Sequence, residues 1–219
     1  MDDTEQIYNE YYRAPNYFND RRWLYSPFVS ALVRKAGLCV GSRLLDAGCG
    51  QGFFTALFAE RGISCVGIDL STVAIEAARR SYARLPVRFE AGDILSIPCT
   101  RGFDAVFVRS CSLYNTDRFP TDVAVTDRLL EFLRPGGILI FDYYSRLASS
   151  ARAENWRYHS LAQVEEHFAK YIDAEIYFSL RVESILLGGR TFSAANSRLS
   201  ALVSRTTNVG GEIVAFVRR

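Results

Sequence analysis

Between residues 43 and 143 the chain alternates two hydrophobic periods. Residues 43–47, 64–69, 87–91, 103–109 and 138–143 are short runs rich in Leu, Val, Ile and Phe, the pattern of strands buried on both faces. Between them, 52–61, 71–83 and 121–133 place apolar residues every three or four positions, which predicts helices. Ser71 stands where an N-cap belongs, and Pro135-Gly136-Gly137 is expected to stop the third helix. Strands alternating with helices of this length need right-handed crossovers. The pattern therefore predicts an α/β fold: a Rossmann-like, mostly parallel sheet with helices on both faces.

The two ends have a different texture. Phe28, Val29, Leu32 and Val33 give 27–40 a helical spacing, whereas the stretch before it is irregular and aromatic, with Tyr8, Tyr11, Tyr12, Tyr17, Phe18, Trp23 and Tyr25. Residues 1–40 read as an N-terminal helical cap or lid ahead of one domain over 41–219. Near the other end, Ser160-Leu161-Ala162-Gln163 fits a capping box and is followed by apolar residues at helical spacing. Residues 174–183 read as a strand, 193–205 as a short helix and 212–217 as a closing strand. That makes a seven-stranded sheet.

Composition narrows the class without adding chemistry. A chain of 219 residues, 49% hydrophobic and 23% charged, is one ordinary globular domain. A net charge of +2 leaves no footprint for nucleic acid or an anionic membrane surface. The start, Met1-Asp2-Asp3-Thr4-Glu5, is acidic and unlike a secretory signal, and no apolar run approaches ~20 residues. A cytoplasmic protein is expected, without membrane or nucleic-acid partners, as a monomer or homodimer. Cys39, Cys49, Cys65, Cys99 and Cys111 form no C-x-x-C pair and only two histidines accompany them, so neither a disulfide framework nor a metal site is expected.

The chemistry begins where the first strand ends, in Asp46-Ala47-Gly48-Cys49-Gly50-Gln51-Gly52. Alternate glycines let a ligand approach the backbone, and parallel sheets bind ligands at the carboxyl ends of their strands. Asp69 ends the next strand, at the height where a ribose over the turn would present its diol to a carboxylate. A dinucleotide fingerprint requires glycine where Phe53 stands, and Asp46 would repel a pyrophosphate. S-adenosylmethionine carries an ammonium and a sulfonium and no phosphate, so it tolerates that acid.

On these residues the sequence resembles the class I S-adenosylmethionine-dependent methyltransferases. LLDAGCGQGFFT (44–55) is similar to motif I, GIDLS (67–71) to the segment with the ribose-binding acid, and EAGDIL (90–95) to the segment facing the adenine. FDAVFVRS (103–110) is similar to motif IV, and LRPGGILIFD (133–142) to the motif around the fifth strand. The resemblance covers about residues 40–145, and 212–217 fits the family's antiparallel last strand. It implies that the turn Asp46, Ala47, Gly48, Cys49 and Gly50 contacts the methionine portion through backbone groups. It also implies that Asp69 holds the ribose, that Leu70 and Ile94 pack on the adenine, and that Asp93 accepts from its amino group. Arg109 and Ser110 are placed near the sulfonium and the acceptor. Residues 109–115 lack an Asp-Pro-Pro-Tyr signature, which favours a small acceptor over a base in nucleic acid.

The implied reaction is in-line transfer of a methyl group to an O or N nucleophile of a small molecule. Alignment supplies most of the rate, and a base is needed only for a protonated nucleophile. His159 and Tyr114 are the catalytic candidates, with Tyr144 a further group at the end of a strand. His167, at the edge of an apolar stripe, reads as structural. Cys49 and Cys111 read as small buried residues, Arg21 and Arg22 as solvated charges that a lid would carry. Rival readings are a non-catalytic S-adenosylmethionine-binding protein, a protein or RNA methyltransferase, and an NAD-dependent oxidoreductase.

Overall fold

The computed structural model describes residues 3–99, 102–119, 121–147 and 156–219; the first two residues of the acidic N-terminus lie outside them. Four of the strands follow the apolar runs to the residue: β1 Arg43–Ala47, β2 Ser64–Asp69, β3 Val87–Ala91 and β4 Phe103–Arg109. With β5 Leu133–Ser145, β6 Glu175–Ser179 and β7 Gly211–Arg218 they form a seven-stranded sheet in the order β3-β2-β1-β4-β5-β7-β6. The ladders joining β1 to β5 are parallel, and β7 runs antiparallel between β5 and β6.

Alternate residues of β5 bury into opposite layers. Leu139, Phe141 and Tyr143 join Val164, Phe168 and Phe178 on one face. Ile138 and Ile140 join Phe28, Leu32, Leu57 and Phe58 on the other. The first layer takes helices α5 Ala124–Glu131 and α6 Leu161–Phe168; the second takes α2 Arg22–Ala36 and α3 Phe53–Ala59. A third small cluster packs α4 Thr72–Ser81 on Phe89 of β3. Helix α2 is thus part of the core, with Phe28, Val29 and Leu32 fully buried. Of the segment read as a cap, α1 Asp3–Tyr11 and the turn after it lie instead over the mouth of the sheet.

Several boundaries differ from the hydrophobic pattern. Helix α2 begins a turn ahead of Pro27 and is stopped by Gly37 in the left-handed region. Strand β5 begins at Leu133 and takes in Pro135-Gly136-Gly137, because Gly136 N donates to Arg219 O (3.2 Å) and Arg219 N donates to Gly137 O (3.0 Å). The far end of the chain thereby turns a helix-stop signal into sheet. Strand β6 ends at Ser179, opposite Glu212 near the start of β7. Glu183 then accepts from Ser179 Oγ (3.0 Å) and opens the short helix α7 Glu183–Leu187. Helix α8 Ala194–Thr207 follows, capped by Ser193.

The capping box before α6 is formed as expected: Gln163 N donates to Ser160 Oγ (3.2 Å) and Ser160 N to Gln163 Oε1 (2.9 Å). Ser160→Ala should remove about 1 kcal/mol, a fall in Tm of roughly 2–4 °C. A thermal melt reads this directly; an unchanged Tm would mean that the box contributes nothing.

Candidate functional site

Strands β1 and β2 end side by side, and the turn after β1 folds onto β2 through two amides. Gly48 N and Cys49 N both donate to Ile68 O, at 2.8 and 3.0 Å. Two glycines are required by what surrounds them. A Cβ on Gly50 (φ +52°) would stand 2.8 Å from the Tyr12 hydroxyl, and one on Gly52 (φ +78°) 2.7 Å from the Phe89 ring.

Asp69 closes the turn. Its Oδ2 accepts from Gly50 N (2.8 Å) and its Oδ1 from Ser71 N (2.9 Å), so one side chain fixes the glycine turn and the start of α4 together. Burial pushes its pKa up, and the two amides pull it down. Each carboxylate oxygen retains a lone pair for a further donor, which is what a ribose diol requires. Asp46 lies beneath, 2% exposed, with Oδ2 accepting from Thr55 Oγ1 (2.6 Å). Burial, aided by the charge of Asp69, pushes its pKa up to about 7 against the Thr55 bonds and Arg109.

On the adenine side of the expected site, Gly92 N donates to Asp69 O (2.9 Å) and anchors the segment after β3. Asp93 forms a local turn there: Oδ1 accepts from Leu95 N (2.9 Å) and Oδ2 from Ser96 Oγ (2.7 Å). Ile94 is buried and Leu70 half-buried. The structure therefore brings Asp46, Ala47, Gly48, Gly50, Asp69, Leu70, Asp93 and Ile94 to the carboxyl ends of β1 to β3. Cys49 lends its backbone to the turn; its Sγ donates to Gly50 O (3.6 Å) and packs towards Phe89 and Gly67.

Helix α1 lies across this mouth. Asn9 Oδ1 accepts from Ser71 Oγ (2.7 Å) and Val73 N (3.2 Å). Gln51 Nε2 donates to Tyr12 O (3.0 Å) and Ala14 O (3.1 Å). The Tyr8 hydroxyl bonds Ser112, and burial pushes the Tyr8 and Tyr12 hydroxyls up. Asn9, Tyr12 and Gln51 escaped sequence reasoning. The aromatic run was visible, with Ile7, Tyr8, Tyr11 and Tyr12 at helical spacing, but hydrophobic periodicity gives no signal for polar anchors such as Asn9 and Gln51.

Three expected roles change. Arg109 does not present its guanidinium to the mouth. It is buried, with Nε 3.0 Å from Asp142 Oδ2 and Nη2 2.7 Å from Glu212 Oε1, under the rings of Phe54, Phe18 and Tyr25. Tyr114 is buried, its hydroxyl 2.9 Å from Thr126 Oγ1, which in turn lies 2.8 Å from His167 Nε2. His159 is 3% exposed, its Nε2 2.6 Å from Tyr114 O and its ring stacked 4.1 Å from that of Phe119. Both catalytic candidates are core residues that fix the 112–117 loop. Burial lowers the His159 pKa, which keeps the ring neutral.

The remaining candidates fall as expected. His167 is a buried structural residue stacked on Phe119. Burial pushes the Cys49 and Cys111 thiols up, so neither is an activated nucleophile. Arg22 pairs with Glu60, and Arg21 stacks on Tyr17 at 3.7 Å. Among the described residues no group of His, Cys, Asp and Glu could hold a metal ion, and no helix is long and apolar enough to cross a membrane.

A family described as a methyltransferase domain matches residues 39–185. The malonyl-[acyl-carrier protein] O-methyltransferase of Serratia marcescens is 32% identical over 119 residues, 52% of this chain and 42% of that protein. A ubiquinone biosynthesis O-methyltransferase of Psychrobacter cryohalolentis is 30% identical over 128 residues, 54% of this chain and 48% of that protein. The chain thus spans under half the length of these two relatives. Among solved structures, the N-methyltransferase NodS of Bradyrhizobium japonicum with S-adenosyl-l-homocysteine has a TM-score of 0.66 at 19% identity, covering 100% of this chain and 99% of that one. Phosphoethanolamine N-methyltransferase 2 of Haemonchus contortus with S-adenosyl-L-methionine has a TM-score of 0.64 at 19% identity, covering 90% and 55%. At these identities the structural likeness concerns the fold.

Proposed function

The chain belongs to the class I S-adenosylmethionine-dependent methyltransferases, and from that premise we propose that it transfers the methyl group of S-adenosylmethionine to an O or N atom of a small molecule. The observation that carries this reading is Asp69, a buried carboxylate held by the amides of Gly50 and Ser71 at the edge of the glycine turn. In this reading Asp69 accepts from the ribose diol, while Ile94 and Leu70 flank the adenine and Asp93 faces its amino group. Asp46 lies close enough to the turn to favour the positive end of the cofactor.

When bound, S-adenosylmethionine supplies an activated methyl group. The chain's part is to align and to exclude water. Alignment of this kind is worth up to roughly 7–11 kcal/mol without any general base. His159 and Tyr114 act here as positioning residues: the 2.6 Å contact between them pins the loop after β4 to the segment returning from β5. Helix α1, fastened by Asn9 and Gln51, is the water-excluding cover.

The test is release of S-adenosylhomocysteine by the full chain, followed by mass spectrometry across small hydroxyl- and amine-bearing acceptors. Acceptor-dependent release is expected. Tight cofactor binding with no release on any acceptor would favour a non-catalytic binding protein, and release only with RNA or protein would overturn the small-molecule assignment.

A further inference from the structure

Beside the cofactor turn, the carboxyl ends of β4 and β5 hold a charged cluster that the transfer reaction does not use. Asp142 and Glu212 are both fully buried and lie against each other, each within reach of Arg109. Arg109 contacts both, and Arg181 Nε lies 2.6 Å from Glu212 Oε1. Burial and the neighbouring Glu212 charge push Asp142 well up, while the two arginines hold Glu212 down against its burial. The guanidiniums of Arg109 and Arg181 thus converge on this buried carboxylate pair.

Next to this cluster, across the Tyr144 ring, stands a third guanidinium. Arg146 follows β5 directly, is exposed, bonds the Tyr144 side chain and lies 5.6 Å over the Tyr158 ring. Arg181 lies 4.6 Å over the Tyr144 ring, and the two tyrosines meet edge to face at 5.9 Å. Among the described residues no carboxylate pairs with Arg146.

This corner is continuous with the cofactor turn. Ser110 Oγ lies 3.4 Å from Tyr144 N and 3.5 Å from Arg109 Nη1, and Ser110 N donates to Asp142 O (2.8 Å). Ser110 itself is held at φ +41°, a conformation that a serine adopts only when its surroundings impose it. The next residue, Cys111, has its Sγ 3.2 Å from where a Cβ on Gly48 would stand.

We propose that the methyl acceptor carries an anionic group, phosphoryl or carboxylate, joined to a flat apolar part, with Arg146 holding the anion and Tyr144 and Tyr158 flanking the flat part. A guanidinium presents paired donors that match either anion, and the rings give it a fixed plane. A cationic acceptor would be repelled by Arg146, whose charge no carboxylate among the described residues offsets.

This assignment rests on the methyltransferase reading, so S-adenosylhomocysteine binding is measured first, by isothermal titration of the full chain. Its failure would overturn that reading on its own. Phenyl phosphate, benzoate and benzylamine are then titrated into the protein with and without S-adenosylhomocysteine. At least one anion should bind, and the preferred one names the group; benzylamine should not. Arg146→Gln should weaken the anion at least tenfold and leave the S-adenosylhomocysteine affinity unchanged, and Arg146→Lys, which keeps the charge without the paired planar donors, should recover only part of the loss. Absence of anion binding, tighter binding of benzylamine, or an unchanged anion affinity in Arg146→Gln would overturn the proposal.

Discussion

Asp69→Ala should erase the thermal stabilisation that S-adenosylmethionine confers on the wild-type chain. At a hundredfold excess over its dissociation constant the ligand adds about 2.7 kcal/mol, a rise in Tm of roughly 5–10 °C for a domain of this size. Two hydrogen bonds from a diol to a carboxylate are worth roughly 1.5–3 kcal/mol each. Their loss weakens binding by about 100-fold or more. At the same ligand concentration the variant then retains only about 0.4 kcal/mol of stabilisation, close to the limit of a melt.

The substitution also strips acceptors from Gly50 N and Ser71 N, so the ligand-free variant should melt lower as well. For that reason the readout is the ligand-induced increment and not Tm itself. Asp69→Asn keeps one carbonyl acceptor for those amides and should recover part of the ligand-free Tm without recovering the increment. An undiminished increment in Asp69→Ala would remove Asp69 from the cofactor site, and with it the observation that carries the proposed function.

Asp69 was legible because everything that defines its position is local. The apolar run 64–69 fixes β2, the register Ala47↔Ile68 sets it beside β1, and the glycines fix the turn it closes. Buried parallel strands announce themselves as continuous apolar runs, which is why β1, β2 and β4 agree with the pattern to the residue, whereas the edge strand β3 shows as the alternation VRFEA. Arg109 was misplaced because its partners lie far along the chain: Asp142 on β5, Glu212 on β7, and Arg181 next to Glu212. Nothing near Arg109 in sequence signals that two carboxylates will fold beneath it. His159 and Tyr114 failed in the same way, since their contact depends on the 156–159 segment returning onto the 114–117 loop through Arg157, which pairs with Asp117 at 2.5 Å. What fastens helix α1 over the mouth was invisible for another reason. The helix is held by polar side chains at single points, and hydrophobic periodicity does not report on those.

Affinity for S-adenosylmethionine should rise about tenfold per pH unit up to about pH 7 and then level off. The cause is Asp46, which burial and the charge of Asp69 push up to about 7. Because this pKa is raised above the unfolded value of about 3.9, the contribution of Asp46 to folding stability is fully present below that value and is lost as the pH climbs through 7. Binding has the opposite slope. An ammonium and a sulfonium near the turn favour the ionised carboxylate, so the ligand expels a proton and binds best where none has to be expelled. Between pH 5 and pH 7 the gain is about 50-fold at most. Asp46→Asn should flatten that dependence, and titration calorimetry in buffers of different ionisation heat should show its proton release vanish. S-adenosylhomocysteine, which lacks the sulfonium charge, should show a shallower slope on the wild-type chain. Thr55→Val removes the 2.6 Å hydroxyl bond that pulls Asp46 down, so it should move the levelling-off point to higher pH. A slope identical in the wild type and Asp46→Asn would show that the proton resides elsewhere, and Asp46 would then be a buried acid serving only the packing of α3 on β1.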